Sequence, residues 1–580
     1  MSVWLGALGS IICGLGNPKT AVFFAQFAES IITDPKKVAA PAIVSLCRYL
    51  ACFAAIQFTS SYVMQITFSS ASYNLSKTIR YILFRHILRM EPGFFDIHEN
   101  RVNALMSALV VDVERVKDIG GSLIGAFLQP ASAIIGAFTV TIATEWKLGL
   151  LSIVYSPVLI IQGIFHSRIR YFAKDKERKG IKRYSGYIFE SFSSIRTVKA
   201  FNMERYLLER FNKDTKLEQR RERKAVILSI VVFSLSRGMV LYFLGFTFWY
   251  GSKLVEEKDG TVFALVVAYL SILCATDSVN EIFIRGKEFH KGSQSIRNIS
   301  RVLDTTPEID ACSADGEVIP EENVEDTILL QDVYFAYPSD PDIGILYGID
   351  VYIPTQKVVG LVGPRGAGKS TILDLIKHFY EPDSGSVKFN GIDITCLNVA
   401  TYRRYFGVVD QEPKFYPQET VAENVALAVP LTKGIHYNYN KYRSGAIMHD
   451  HIINACKMAN IHDQIVQLED GYETTFYETC FNNSELTRLA LARALIRNPK
   501  ILILDGTIWT EEDKPLISAL KQIIPRQTTI IAGRNISSLV DMVDWIYMIE
   551  QGRIVEAGTH DYLTSAKKKY YTLVNETTNS

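Results

Sequence analysis

Residues 357–376 read KVVGLVGPRGAGKSTILDLI, and this stretch decides the class of the soluble half of the chain. Val358 to Val362 form an apolar run, glycines follow, and the residues after Ser370 turn apolar again, so the segment predicts strand, glycine loop and helix. Gly363, Gly366 and Gly368 permit backbone geometry in which successive N–H groups converge on β- and γ-phosphates, with Pro364, Arg365 and Ala367 completing the loop. Lys369 adds a point charge, the Ser370 hydroxyl suits Mg²⁺, and Thr371 lies in the first turn of a helix whose N-terminus favours an anion. GxxxxGKS between a strand and a helix is a specific signal. A second apolar strand, NPKILILD, ends in Asp505, a carboxylate suited to hold Mg²⁺ through water beside the same phosphates. Together these predict a nucleotide-binding α/β domain, which by chemistry alone serves motors, kinases, GTPases and transporters alike.

Upstream the composition changes. The 580 residues are 48% hydrophobic and 21% charged, with a mean hydropathy of +0.10, where a soluble enzyme of this size is normally negative. The long apolar runs all precede about residue 285, at 3–31, 40–72, 120–143, 147–168, 225–254 and 260–283. Each reaches the ~20 residues a helix needs to cross a bilayer, so six spans are expected. The first run lacks a basic leader and continues through Pro18 and Lys19, so it reads as a span and not as a secretion signal. The chain is thus expected to begin inside its first membrane helix, which reads as a start that has lost something upstream. The connection at 76–118 carries seven Lys/Arg and that at 169–224 carries seventeen, against Lys36, Lys37 and Lys258 in the opposite connections. Basic loops stay in the cytosol, which puts both long connections and the C-terminal domain on that side. Lys+Arg 62 against Asp+Glu 61 leaves +1, so nucleic acid is not the expected partner. Eight scattered cysteines without a CxxC pair argue against a disulfide framework or a zinc site. Asp277 and Glu281 lie one turn apart in the last apolar run, where an acid faces a cavity or pairs internally, with Arg237 as a candidate partner.

With six spans ahead of it, the phosphate-loop domain resembles the nucleotide-binding domain of an ABC transporter, and nearly the whole chain is similar to the C-terminal half of the P-glycoprotein-like (B subfamily) multidrug and pheromone exporters. The matching pieces are FFD at 94–96, WKL at 146–148, Pro157, IRTVKAF at 195–201, VAENVAL at 421–427 and GRIVEAGTHDYL at 552–563. The resemblance implies an α-helical membrane bundle of six transmembrane helices with the type-1 exporter fold over 1–285, a linker over 286–326 and an α/β P-loop nucleotide-binding domain over 327–580. It implies that Tyr337 in FAYP stacks on adenine, and that Gln411 in VVDQEP senses the γ-phosphate and joins Ser370 and Asp505 around Mg²⁺. ATP and Mg²⁺ are the expected cofactors. The expected setting is a multi-pass protein of the plasma membrane or an organelle membrane, with the nucleotide-binding domain cytosolic. The expected partners are a second ABC half, membrane lipid, and a lipophilic drug, lipid or hydrophobic peptide as substrate.

Three departures bear on catalysis. The family's LSGGQ signature is replaced by Phe481, Asn482, Asn483, Ser484 and Glu485, so two flexible glycines are lost. Gly506 stands where a glutamate polarises the attacking water, and Gly533 where a switch histidine meets the γ-phosphate. The segment after the second strand, WTEE at 509–512, also departs from the usual pattern. The binding half of the site is intact and the hydrolytic half eroded. An exporter half that moves an amphipathic substrate is therefore weighed against a degenerate or truncated half that binds ATP and serves a regulatory or structural role.

Overall fold

The computed structural model of the chain describes residues 2–33, 40–158, 160, 161, 164, 188–257, 260–320, 325–429, 446–477, 480–506, 514–534 and 537–578. The chain divides into two compact units, one of Met1–Arg85 with Met106–Asp304, the other of His86–Leu105 with Thr305–Ser580.

The first unit is helical. Its long helices are α1 (Ser2–Thr33), α2 (Ala40–Ile87), α3 (Ser122–Thr144), α4 (Glu204–Glu256) and α5 (Val262–Asp304), and residues 146–158 are helical as well. Among the described residues two helical stretches, Val102–Thr144 and Val262–Asp304, are long and apolar enough to cross a membrane. The apolar runs at 3–31, 40–72 and 225–254 are helical, within α1, α2 and α4, and the run at 147–168 extends beyond the described residues. At 1.5 Å per residue, the 53-residue α4 is about 80 Å long and exceeds the ~30 Å of hydrocarbon. Its polar N-terminal part, ERYLLERFNKDTKLEQRRERKA, is therefore a continuous helical extension and not a loop. Tyr155, Val240, Leu244, Ile272 and Val279 form a buried core between helices. A polar clasp joins two helical extensions: Ser295 Oγ donates to Asp112 Oδ1 at 2.7 Å and Asn298 Nδ2 to Asp112 Oδ2 at 3.3 Å. On α5 Asp277 is exposed and Glu281 half-buried, while the Arg237 side chain lies outside the described residues.

The second unit is built on two sheets. The smaller comprises β1 (Ile328–Ala336), β2 (Gly344–Ile353), β4 (Ser384–Phe389) and β5 (Ile392–Asp393) in the order β2-β1-β4-β5, all antiparallel. The larger comprises β3 (Val358–Val362), β6 (Phe406–Val409), β7 (Ile501–Asp505), β8 (Thr528–Gly533), β9 (Trp545–Glu550) and β10 (Arg553–Gly558). Its order is β10-β9-β3-β8-β7-β6, parallel except for the β10 edge. Alternate side chains of the central strands leave on opposite faces. Val359, Leu361, Ile501, Ile503 and Ile530 join the core shared with β1 and β2. Val358, Val362, Leu502, Leu504 and Ile531 join a second core made with helices. Both faces being covered explains why these strands read as unbroken apolar runs. Three helices matter below: α6 (Lys369–Ile376), α7 (Val421–Ala426) and α8 (Asn483–Leu495).

Candidate nucleotide site

The carboxyl ends of the parallel strands gather the expected residues. Val362 pairs with Gly533, Asp505 with Ala532, and Val409, two residues before Gln411, with Leu504. Ligands of open α/β sheets bind at this edge. The loop from β3 to α6 is glycine for steric reasons: a Cβ on Gly363 would stand 2.1 Å from the Ile549 carbonyl oxygen, and Gly368 has φ +98°. The Gly366, Arg365 and Ser370 positions are exposed at the mouth, Pro364 is half-buried and Ala367 is buried.

Lys369 is buried and folds back over the loop, its Nζ donating to Gly363 O at 2.9 Å and Pro364 O at 2.7 Å. Burial pushes the pKa of this ammonium down, Asp505 works against that shift, and Arg534 adds to it. The Asp505 carboxyl is pushed up by burial, opposed first by the hydrogen bond from Ser370 and then by Lys377, with Asp374 and Asp410 adding to the rise. Ser370 and Asp505 are thus joined, a hydroxyl and a carboxylate side by side. No group of three His, Cys, Asp or Glu side chains suited to a metal occurs among the described residues. This donor set fits Mg²⁺, which takes oxygen ligands and keeps waters, drawing the rest from nucleotide phosphates.

Tyr337 follows β1 and is half-buried, its hydroxyl 2.9 Å from Thr371 Oγ1. Its ring meets Phe335 edge-on at 5.1 Å and Tyr380 at 5.3 Å. This brings the aromatic expected at adenine within one residue of Ser370. Gln411 is exposed beyond the end of β6. Gly506 donates its N–H to Ala532 O at 3.0 Å, so it prolongs the β7–β8 pairing without presenting a side chain. Gly533 ends β8 likewise. The WTEE segment at 509–512 lies outside the described residues.

The FNNSE segment lies apart from this cluster in sequence, at the start of α8. Phe481 is buried and stacks on Phe476 with ring centroids 6.0 Å apart. Asn482 caps α8, while Asn483 and Ser484 open it. Glu485 returns a bond to Asn482, a reciprocal cap signalled by the Asn-x-x-Glu spacing although the sequence reading passed it over. A second feature had no local signal: Tyr380 donates to Asp96 Oδ2 at 2.7 Å, and Gly93 lies against Pro338 and Tyr380. The FFD segment at 94–96 therefore reaches the aromatic cluster that holds Tyr337. Lys377 pairs with Asp374 at 2.8 Å and stands 3.9 Å from Asp410, which places further charge near Asp505.

Comparison with known proteins agrees with both halves. Residues 3–276 match the family described as ABC transporter transmembrane region, and residues 346–508 match the family described as ABC transporter. Over 578 residues the chain is 31% identical to ABC multidrug transporter MDR2 of Trichophyton equinum, covering 98% of this chain and 42% of that protein. It is 30% identical over 580 residues to the sophorolipid transporter of Starmerella bombicola, covering 99% of this chain and 44% of the relative. It is also 31% identical to the leptomycin B resistance protein pmd1 of Schizosaccharomyces pombe, covering 99% and 41%. The chain spans less than half the length of these relatives. A helical membrane region continuous with a phosphate-loop domain, matched along almost every residue, makes the chain a membrane protein of the ABC transporter family.

Proposed function

We propose that the chain is one half of an ATP-dependent exporter for an amphipathic or lipophilic molecule, and that it binds Mg·ATP at its phosphate loop while hydrolysing it slowly. One observation carries the reading: Lys369, Ser370 and Asp505 converge beside a glycine loop at the strand ends of a chain that also holds an ABC transmembrane region. The names of the relatives, a sophorolipid transporter and a leptomycin B resistance protein among them, support a lipophilic cargo. Six spans, a cytosolic nucleotide-binding domain in a plasma or organelle membrane, and the division at 1–285, 286–326 and 327–580 belong to the same reading.

In this mechanism Lys369 turns from the Gly363 and Pro364 carbonyls toward the phosphates, and the loop N–H groups complete their cradle. Mg²⁺ neutralises phosphate charge when bound. Ser370 and Asp505 would hold it, with Gln411 near the same edge. Tyr337 offers its ring to adenine. Gly506 and Gly533 supply neither a carboxylate to orient water nor an imidazole for the γ-phosphate, so chemistry at this face lacks two positioning groups. A second ABC half supplies the opposing signature, and FNNSE faces that partner's own ATP. The eroded positions also favour the alternative of a regulatory half that binds ATP without driving transport. Mg·ATP binding and phosphate release by the purified chain, alone and with a partner half, decide between them. Binding with partner-dependent release and export supports the exporter, and binding without release in any pairing supports the regulatory half. No binding removes both.

A further inference from the structure

The second unit holds a cavity of about 320 Å³ beside β6, the edge strand of the larger sheet. Every charged residue in its wall is basic: Lys377, Arg403, Arg493 and Arg497. Backbone carbonyls aim three of them. Arg497 Nη2 donates to Arg403 O at 3.2 Å, and Arg403 Nε donates to Lys377 O at 3.1 Å. Arg493, one helical turn before Arg497, donates from Nε to Asn424 O at 3.1 Å and from Nη1 to Lys414 O at 2.8 Å. The Phe379 ring lies under two of the cations, its centroid 4.7 Å from Lys377 Nζ and 5.1 Å from the Arg403 guanidinium carbon. Carbonyls orient a guanidinium without neutralising it. Among the described residues Lys377 has acids beside it, Asp374 at 2.8 Å and Asp410 at 3.9 Å, whereas none of the three guanidiniums is ion-paired with a carboxylate. Arg493 Nη2 and Arg497 Nε are buried donors without an acceptor among the same residues. Burial pushes the pKa of all three guanidiniums down, that of Arg493 to about 10. Buried charge without a counter-charge is costly, and here it adjoins open space and not a packed side chain.

We propose that this cavity binds the phosphate group of a small soluble molecule, as an anion site separate from the phosphate loop. A dianion answers more of the wall's charge than a single carboxylate does, and guanidinium forks match its oxygens. The volume exceeds that of one phosphate and lies at the small end of ligand pockets, so Phe379 and Tyr416 leave room for an organic remainder. The inference does not need the nucleotide reading. Lys369 follows the loop after β3, whereas the cavity is walled by β6, the residues beyond α6 and the last turn of α8.

The test uses the full chain in detergent carrying Lys369→Ala, which removes the competing charge at the nucleotide site. Radiolabelled inorganic phosphate should bind saturably, and acetate, a monoanion, should compete more weakly. Arg497→Gln should weaken phosphate binding by about 10-fold or more, the share of one charge-assisted hydrogen bond, and Arg497→Lys by less. Leu427→Glu changes an exposed residue of the wall and brings a carboxylate to the guanidiniums. It should abolish phosphate binding and raise the melting temperature without ligand. Phenyl phosphate binding more tightly than inorganic phosphate identifies a monoester as the ligand, and the reverse order identifies phosphate itself. Absence of saturable binding overturns the proposal, as does binding that Arg497→Gln and Leu427→Glu leave unchanged. Hexaglutamate that displaces phosphate at concentrations below the phosphate Kd also overturns it, because the cavity then serves an acidic protein segment. ATP binding by the parent chain is measured separately, so failure of the nucleotide reading and failure of this proposal are distinguishable.

Discussion

Lys369 and Asp505 shift in opposite directions for one reason: burial penalises the charged form of each, and their mutual attraction offsets only part of it. The sign for stability follows for Asp505. Its folded pKa is raised, so its contribution is present below the unfolded value of about 3.9 and is lost as pH rises through the folded value. At neutral pH the ligand-free site therefore carries an unfavourable ionised carboxylate. Asp505→Asn keeps a partner for Ser370 and removes that charge. We expect a higher melting temperature without ligand at pH 7 and Mg·ATP affinity lower by about 10-fold or more, both read by thermal shift with and without nucleotide. A lower melting temperature without ligand would assign the carboxylate a structural role. The complementary change restores what Gly506 and Gly533 lack. Gly506→Glu with Gly533→His, paired with a half that carries an intact signature, should raise phosphate release by on the order of 10²-fold. Mg·ATP affinity should stay close to that of the parent, because the loop is untouched. Neither single change need suffice, since groups that act as a unit are not additive. An unchanged rate in the double variant would move the lesion to WTEE at 509–512.

At the scale of elements, a histidine with an acid-sensitive environment lies two residues beyond α6. His378 is buried with φ +54°, and neither ring nitrogen has a hydrogen-bond partner among the described residues. Burial lowers its pKa to about 4, Arg403 adds to the fall and Asp393 opposes it. Glu381 Oε1 lies 3.7 Å from Nε2, and the Tyr402 ring centroid is 6.5 Å away. A base with a lowered folded pKa contributes stability that is present above its unfolded value near 6.5 and lost as pH falls toward about 4. The slope is at most one proton, about 1.4 kcal/mol per pH unit. His378→Asn tolerates the left-handed backbone and has no such titration. Melting followed between pH 4 and 6.5 should be flatter in the variant, and equal slopes would place the titration elsewhere. The same scale shows what the sequence made legible. Strand, glycine loop and helix at 357–376 are local, so the pattern predicts the loop without tertiary information. The FNNSE cap is also local, in Asn482-x-x-Glu485, though its spacing stands where the glycine signature of the family is expected. The Tyr380–Asp96 bond joins residues 284 apart, and no periodicity or spacing announces a contact of that kind. Lys377 and Asp374 were open to an i,i+3 reading, but their closeness to Asp505 depends on the strand order, which crosses over in sequence.

For the whole molecule, the basic-loop asymmetry predicts the orientation proposed above. In a background without the eight native cysteines, a Cys introduced at Lys36 should react with an impermeant maleimide from outside, and one at Lys199 only after permeabilisation. Reversed labelling would invert the proposed topology. The second unit is discontinuous, since His86–Leu105 belongs with Thr305–Ser580. During synthesis the first piece leaves the ribosome about 200 residues ahead of the second, roughly 10–40 s at 5–20 residues per second. Throughout that interval Asp96 has no Tyr380 to receive from, and Phe94, buried in the finished unit, stays uncovered. The segment is therefore covered only when the C-terminal residues arrive, and the unit closes as a late step of synthesis. A nascent chain that stalls before Tyr380 would leave Asp96 without that partner and Phe94 uncovered.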